Sequence, residues 1–198
     1  SIQIRNRATI GGNMANATPS ADTAPALVAL DATARISGLN GSRTVALEEF
    51  FKGPGQTVMS AEEILTEISI PRTAPELVGD YIKFSPRDMM DLAYVGVAVA
   101  FNLGSDKRSE RVRIVLGAVA PTPLRARDAE SLLEGQSLTE ALAAQAGDAA
   151  ARESRPISDV RSSAEYRRAM VAVMTKRALL NAAAGPAASW IERRDIRY

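Results

Sequence analysis

The chain contains no cysteine and no histidine. Thiolate ligation of an iron–sulfur cluster is therefore excluded, and so is the usual zinc site of Cys and His. There is no thiol nucleophile and no imidazole base, so any redox chemistry must be carried by a bound cofactor. A disulfide framework is impossible, which favours a reducing compartment and leads us to expect a cytoplasmic protein. A strong charge surplus is also lacking. The formal net charge is +1, which argues against broad nucleic-acid binding. No apolar run is long enough to span a bilayer. The first residues show no basic region followed by an apolar stretch, so no secretory leader is expected.

What the chain does have is 198 residues with 46% hydrophobic content, enough for one large or two small domains with a real core. It is organised around a stretch near its start, Thr9-Ile10-Gly11-Gly12-Asn13. Two adjacent glycines allow positive φ and close approach of a ligand to the backbone. Successive bare N–H groups in such a turn form an anion-binding concavity. Thr9 and Asn13 add side-chain hydrogen-bonding groups on either side. Asp22, after a short polar loop, can accept from a sugar hydroxyl or cap a helix. Read this way, the stretch is a candidate phosphate or nucleotide cradle; the plainer alternative is an ordinary turn or bulge. It is neither a Walker loop nor G-x-G-x-x-G. Arg5 and Arg7 flank it, either as phosphate-neutralising groups or as surface ion pairs.

Patterning along the chain predicts an alternation of short strands and helices. Residues 2–10 read as a short strand or extended lead-in. Thr23 or Asp22 begins a helix with Pro25 in its first turn. Strands are predicted over 32–36 and 44–47, joined through Leu39-Asn40-Gly41 as a hairpin. A short helix covers 47–51. The alternation Ile64, Thr66, Ile68, Ile70 predicts a strand ended by Pro71. Residues 71–80, with two prolines and a glycine, are the best domain boundary. Strands follow over 81–85, 93–103 and 111–119, turned at Gly104-Ser105-Asp106. Val97, Val99 and Phe101 alternate with small residues, as in a central strand with one face against helices. Helices are predicted over 127–134, 139–151 and 162–184. In the last, Tyr166, Met170, Val173, Met174 and Ala178 form an apolar stripe with arginines opposite. The tail carries Trp190, read as a partner contact or a disordered end.

The longer run "IRNRATIGGNMANATPSAD" is more specific than its glycines. It resembles the second FAD-binding lobe of the flavoprotein subunit of molybdenum hydroxylases. The likeness continues through "LEEFFKGPGQTVMSAEEILTEISIP", "KFSPRDMMDLAYVGVAVAF", "VRIVLGAVAPTPLRARDAESLL" and "EYRRAMVAVMTKRAL", roughly positions 3 to 182. The resemblance implies an α+β fold: a second FAD-binding lobe (mixed or antiparallel sheet with short helices), then a three-stranded antiparallel sheet packed on helices. It implies domains at 1–73 and 74–184, with a tail over 185–198. It implies that Thr9, Ile10, Gly11, Gly12 and Asn13 hold the FAD pyrophosphate and that Asp22 contacts the cofactor. By the same likeness Leu65 lies near the flavin and Lys83 reaches it, where positive charge favours electron density on the reduced ring. Arg87, Asp88 and Asp91 read as a loop near the flavin edge.

No residue is implied as an acid or base, so no catalytic side chain is named. The implied function is electron transfer from [2Fe–2S] clusters through FAD to an external acceptor. The implied partners are a small iron–sulfur subunit and a large subunit with the molybdenum–pterin cofactor, in a hetero-oligomer. The family's N-terminal FAD lobe is not in this sequence: either the sequence is a fragment, or the lobe is a separate chain and so a further partner, or the protein has lost it. Two other readings stand beside this one. The chain is an interaction module that docks partner subunits with its FAD half empty, or it is an unrelated α+β binding protein whose Gly-Gly turn is structural.

Overall fold

The computed structural model describes residues 2–87 and 91–185. Asp88 and Trp190, singled out in the sequence, lie outside the described residues, as does the side chain of Arg5.

The chain opens with α1 (Ile2–Arg7), not with an extended lead-in. Ala8 N–H donates to the Ile4 carbonyl at 2.7 Å, and Gln and Arg are good helix formers. Next comes α2 (Ile10–Ala15), and here the reading of the glycine doublet as a turn is corrected. Thr9 is the N-cap, and its hydroxyl accepts from Gly12 N–H at 2.9 Å. Gly11 and Gly12 fall in the first helical turn, and neither has positive φ. A good capping residue outweighs the low helix propensity of two glycines. A loop then leads to α3 (Ala24–Ala29), with Thr23 at its N-cap and Pro25 in its first turn.

The first sheet has the order β2-β1-β5, all antiparallel. β1 (Thr33–Gly38) and β2 (Gly41–Ala46) pair from Thr33↔Ala46 to Gly38↔Gly41. The turn is therefore Leu39-Asn40, and Gly41, at φ +114, closes it. α4 (Leu47–Phe50) follows, then a small hairpin of β3 (Phe51–Gly53) and β4 (Gln56–Thr57). β5 (Ile64–Ser69) pairs with β1 through a shifted register: Arg35 faces Glu67, but Ile36 faces Leu65. Thr66 is the extra residue, and such a bulge exchanges the faces of the strand on either side of it. Consequently Leu65 and Ile68 pack on the core while Ile64 is exposed, and Ile70 is exposed because it lies beyond the end of the strand. Simple alternation could not place that switch.

The second sheet has the order β6-β7-β8-β9. β6 (Leu77–Phe84), β7 (Val95–Leu103) and β8 (Ser109–Gly117) form the expected antiparallel meander. The two-residue β9 (Leu124–Arg125) adds a fourth strand beside β8. One face carries Val95, Val97, Val99 and Phe101 from β7 with Val112, Ile114 and Leu116 from β8. It packs on α5 (Arg127–Leu133), α6 (Glu140–Glu153) and α7 (Ala164–Ala184). The inward stripe of α7 is Val171, Met174, Ala178, Leu179 and Ala182. Tyr166 is 46% exposed, so it lies off that stripe, whereas Arg167 is buried. Arg167 pairs with Asp159 at 2.7 Å and stacks over the Tyr94 ring at 5.5 Å, which is how a buried guanidinium is tolerated.

The opposite face of the same sheet is built of small residues, and it is also buried. Ala98, Ala100 and Val115 join the core formed by Met14, Leu27, Val28, Ile36, Leu47 and Phe50. α3 lies across β7 and β8. Thus β7 is central and covered on both sides, by the C-terminal helices and by the N-terminal segment.

Candidate functional site

The seam between the N-terminal segment and the second sheet brings two of the residues singled out in the sequence, Asp22 and Lys83, together, while Thr9–Asn13 and Leu65 lie in the N-terminal segment. Thr9–Asn13 form the start of α2. The first N–H groups of a helix have no partner inside it. Gly12 N–H is taken by the Thr9 hydroxyl and Asn13 N–H by the Thr9 carbonyl, which leaves the Ile10 and Gly11 amides at the open end. A Cβ placed on Gly11 would meet nothing within 4 Å, so the space above it is empty. A Cβ on Gly12 would come within 2.9 Å of the Thr9 hydroxyl. The two glycines therefore differ. Gly11 keeps space open, and Gly12 makes room for its own cap.

Asn13 has a structural task that the sequence did not reveal. Its Oδ1 accepts from the Thr23 hydroxyl at 2.6 Å and from Thr23 N–H at 3.4 Å. This ties α2 to the start of α3 and leaves the Nδ2 amide as the group able to donate to a ligand. The loop between the two helices is pinned at further points. Gly55 N–H donates to the Ala17 carbonyl at 3.0 Å, and Ala118 N–H donates to the Pro19 carbonyl at 2.8 Å. The second of these crosses from one half of the chain to the other.

So held, Asp22 meets Lys83. The Lys83 ammonium donates to Asp22 Oδ2 at 2.8 Å, across 61 positions of sequence. Neither residue is fully buried. Lys83 lies on β6 opposite Gly96, and Gly96 lies opposite Gly117 on β8. This row without side chains lets α3 sit close: a Cβ on Gly117 would stand 2.7 Å from Cγ of Pro25. Tyr81, two residues before Lys83 on the same face, reaches over the row, its hydroxyl 3.3 Å from where a Cβ of Gly96 would be. Burial pushes the Tyr81 phenol up, and the Asp22 carboxylate adds to that shift, so the phenol stays protonated and can donate. Tyr81, Gly96, Gly117 and Pro25 were missed in the sequence. A glycine at matching places in two adjacent strands was the available signal.

Leu65 is on β5, half-buried at the rim of the N-terminal core, and α2 runs beside that strand. The structure thus ties Asn13 to Thr23, next to Asp22, pairs Asp22 with Lys83, and places Leu65 on the flank of α2. Arg87 pairs with Asp91 at 3.4 Å on the segment beyond β6. Open amides for phosphate, a carboxylate for hydroxyls and an ammonium for an electron-rich ring are a donor set suited to a flavin dinucleotide.

A cleft of about 610 Å³ is lined by Ala29, Leu30, Gly79, Tyr81, Ala100 and Asn181 among others, and so meets the seam at Tyr81. None of Thr9–Asn13, Asp22, Leu65 and Lys83 lines it. A polar depression of about 440 Å³ lies beneath Asp31, Arg111, Arg125 and Glu134. Its charges are paired: Arg113 and Arg111 with Asp31, Arg125 with Glu130. Arg125 also reaches Glu48 at 3.5 Å, so this network likewise ties the two halves together.

Comparison with known proteins gives a consistent picture. Residues 1–73 match the family "FAD binding domain in molybdopterin dehydrogenase". Residues 80–182 match "CO dehydrogenase flavoprotein C-terminal domain". The chain is 38% identical over 177 residues to the carbon monoxide dehydrogenase medium chain of Hydrogenophaga pseudoflava, covering 89% of this chain and 61% of that one. It is 34% identical over 183 residues to the xanthine dehydrogenase FAD-binding subunit of Escherichia coli O157:H7, covering 92% and 62%. A solved structure of the Hydrogenophaga pseudoflava carbon monoxide dehydrogenase lacking the Mo-pyranopterin moiety superposes with a TM-score of 0.87 at 38% identity, over 92% of this chain and 63% of that one. The chain spans about three fifths of the length of these relatives.

Proposed function

The chain belongs to the FAD-binding flavoprotein family of the molybdopterin dehydrogenases, and from that premise we propose that it is the electron-transfer subunit of a molybdenum-containing hydroxylase. In this role it serves between [2Fe–2S] clusters on a small subunit and an external acceptor, with the molybdenum–pterin centre on a large subunit. It works as an oxidoreductase component inside a hetero-oligomer. Bound FAD supplies the redox chemistry that a chain without cysteine or histidine lacks. Residues 1–73 act as the FAD-binding unit and residues 74–184 as the C-terminal unit that completes the seam.

The chain's own residues bind and orient. The Ile10 and Gly11 amides, with the Asn13 amide, donate to the diphosphate, and Thr9 and Gly12 hold that helix start in shape. Leu65 offers an apolar surface on the flank of α2. Asp22 accepts from a hydroxyl of the cofactor, and Lys83 presents its charge to the ring. None of these groups has to move a proton. The observation that carries the proposal is the Asp22–Lys83 contact, which joins the two halves of the chain.

The test is a Gly11→Val substitution in the assembled complex. The site has room for the side chain, so the fold should survive with an unchanged melting temperature while flavin content falls at least about tenfold, because a branched group blocks backbone approach. Undiminished yellow flavin absorbance in Gly11→Val would overturn the assignment of this site. A parent complex that is colourless, yet still co-purifies with iron–sulfur and molybdenum subunits, would instead make the chain a docking module.

A further inference from the structure

We propose that Asp22 is a positioning residue for Lys83, and that the N-terminal half thereby sets the charge which the C-terminal half presents to the cofactor. The inference rests on the flavin reading above and assigns Asp22 a role beyond touching the cofactor.

Lys83 occupies a row of the sheet with no other side chain. Its neighbours across the sheet, Gly96 and then Gly117, have no side chains to prop a lysine. What faces its ammonium is the carboxylate of Asp22, 2.8 Å away. Asp22 itself is placed by backbone and side-chain bonds that do not involve Lys83. Ala21 N–H donates to Thr18 O at 2.9 Å, Pro19 O is fixed by Ala118 N–H, and Thr23 is fixed by Asn13. The anchor is therefore held independently of Lys83, and its carboxylate comes from the other half of the molecule. Tyr81, on the same face of β6, is kept neutral by burial and by Asp22, so it adds a dipole without competing as a charge. The pair leaves Lys83 partly neutralised. Removing the carboxylate exposes the full ammonium charge to the ring and favours the reduced flavin.

Redox titration of the flavin in the intact complex tests this. Asp22→Asn should raise the reduced-to-oxidised ratio at a fixed potential by roughly two- to fivefold, the size expected of a half-exposed ion pair. Lys83→Met should lower that ratio. In the Lys83→Met background, adding Asp22→Asn should move it by less than half as much, because Asp22 acts through the lysine. Asp22→Glu keeps the carboxylate and should stay near the parent. An Asp22→Asn shift of equal size in both backgrounds, or no shift in the parent, overturns the inference while the flavin reading stands. A complex without flavin overturns both.

Discussion

The two faces of β7 are made from the same nine residues and are buried to a similar degree, yet they hold different things. One face is large. Val97, Val99 and Phe101 interlock with helices that follow in sequence, and the core they form lies wholly within the C-terminal half. The other face is small. Gly96, Ala98 and Ala100 meet α3, and the N-terminal half completes its core only by including residues of this sheet. The first face is a self-contained core. The second is a seam, and Asp22 and Lys83 lie at its end. A small-residue face trades buried apolar area for closeness, which suits a surface where backbone and ligand must approach.

Three changes would sharpen or break that contrast. Phe101→Ala empties the large face at a side chain only 1% exposed and should cost about 3–5 kcal/mol in denaturant unfolding. A loss under ~1 kcal/mol would mean that this face is not the main core. Gly117→Val probes the small face. The added side chain meets Pro25 at 2.7 Å, so destabilisation of about 1–3 kcal/mol is expected. Valine is the better strand former, so a gain in stability would show that α3 is not seated on the sheet in solution. The smallest effect concerns the first sheet, away from the seam. Hydrogen bonds from Arg43 and then Ser60 hold the Glu63 carboxyl down to about 2. A carboxylate lowered on folding stabilises the native state above its ordinary value near 4.5 and loses that contribution as pH falls toward 2. Thermal melts of Glu63→Gln should therefore lie below the parent at neutral pH and converge on it at pH 2. Parallel melting curves across that window would remove Glu63 from the account.

Much of this fold is legible in the residues. The three long strands of the second sheet and the helices from Arg127 onward follow from hydrophobic period and from Gly and Pro punctuation. Caps at Thr139 and Ser163 are where side-chain chemistry puts them. For the candidate site, the motif singled out Asp22 and Lys83, and the structure brings these two to a hydrogen bond. What escaped were features decided by something outside the local window. The bulge at Thr66 reverses which residues of β5 are buried, and it depends on pairing with Arg35. The glycine doublet reads as a turn until Thr9 is seen to cap it. Arg167 reads as a solvent arginine until Asp159 and Tyr94 close around it.

By itself the sequence determined that this polypeptide has no cysteine or histidine for thiol redox chemistry or a Cys/His metal site, where its strands and helices fall in outline, and which short stretch is the candidate phosphate cradle. Those are properties of residue identity and spacing, and they need no partner across the chain. Only tertiary structure decided that Asp22 and Lys83 stand 2.8 Å apart, that glycines on β7 and β8 align to admit Pro25, and that one strand serves two cores. Each of these depends on the register and twist of a sheet brought against a distant helix, and contacts between residues so far apart in the chain leave no period for a local reading to find.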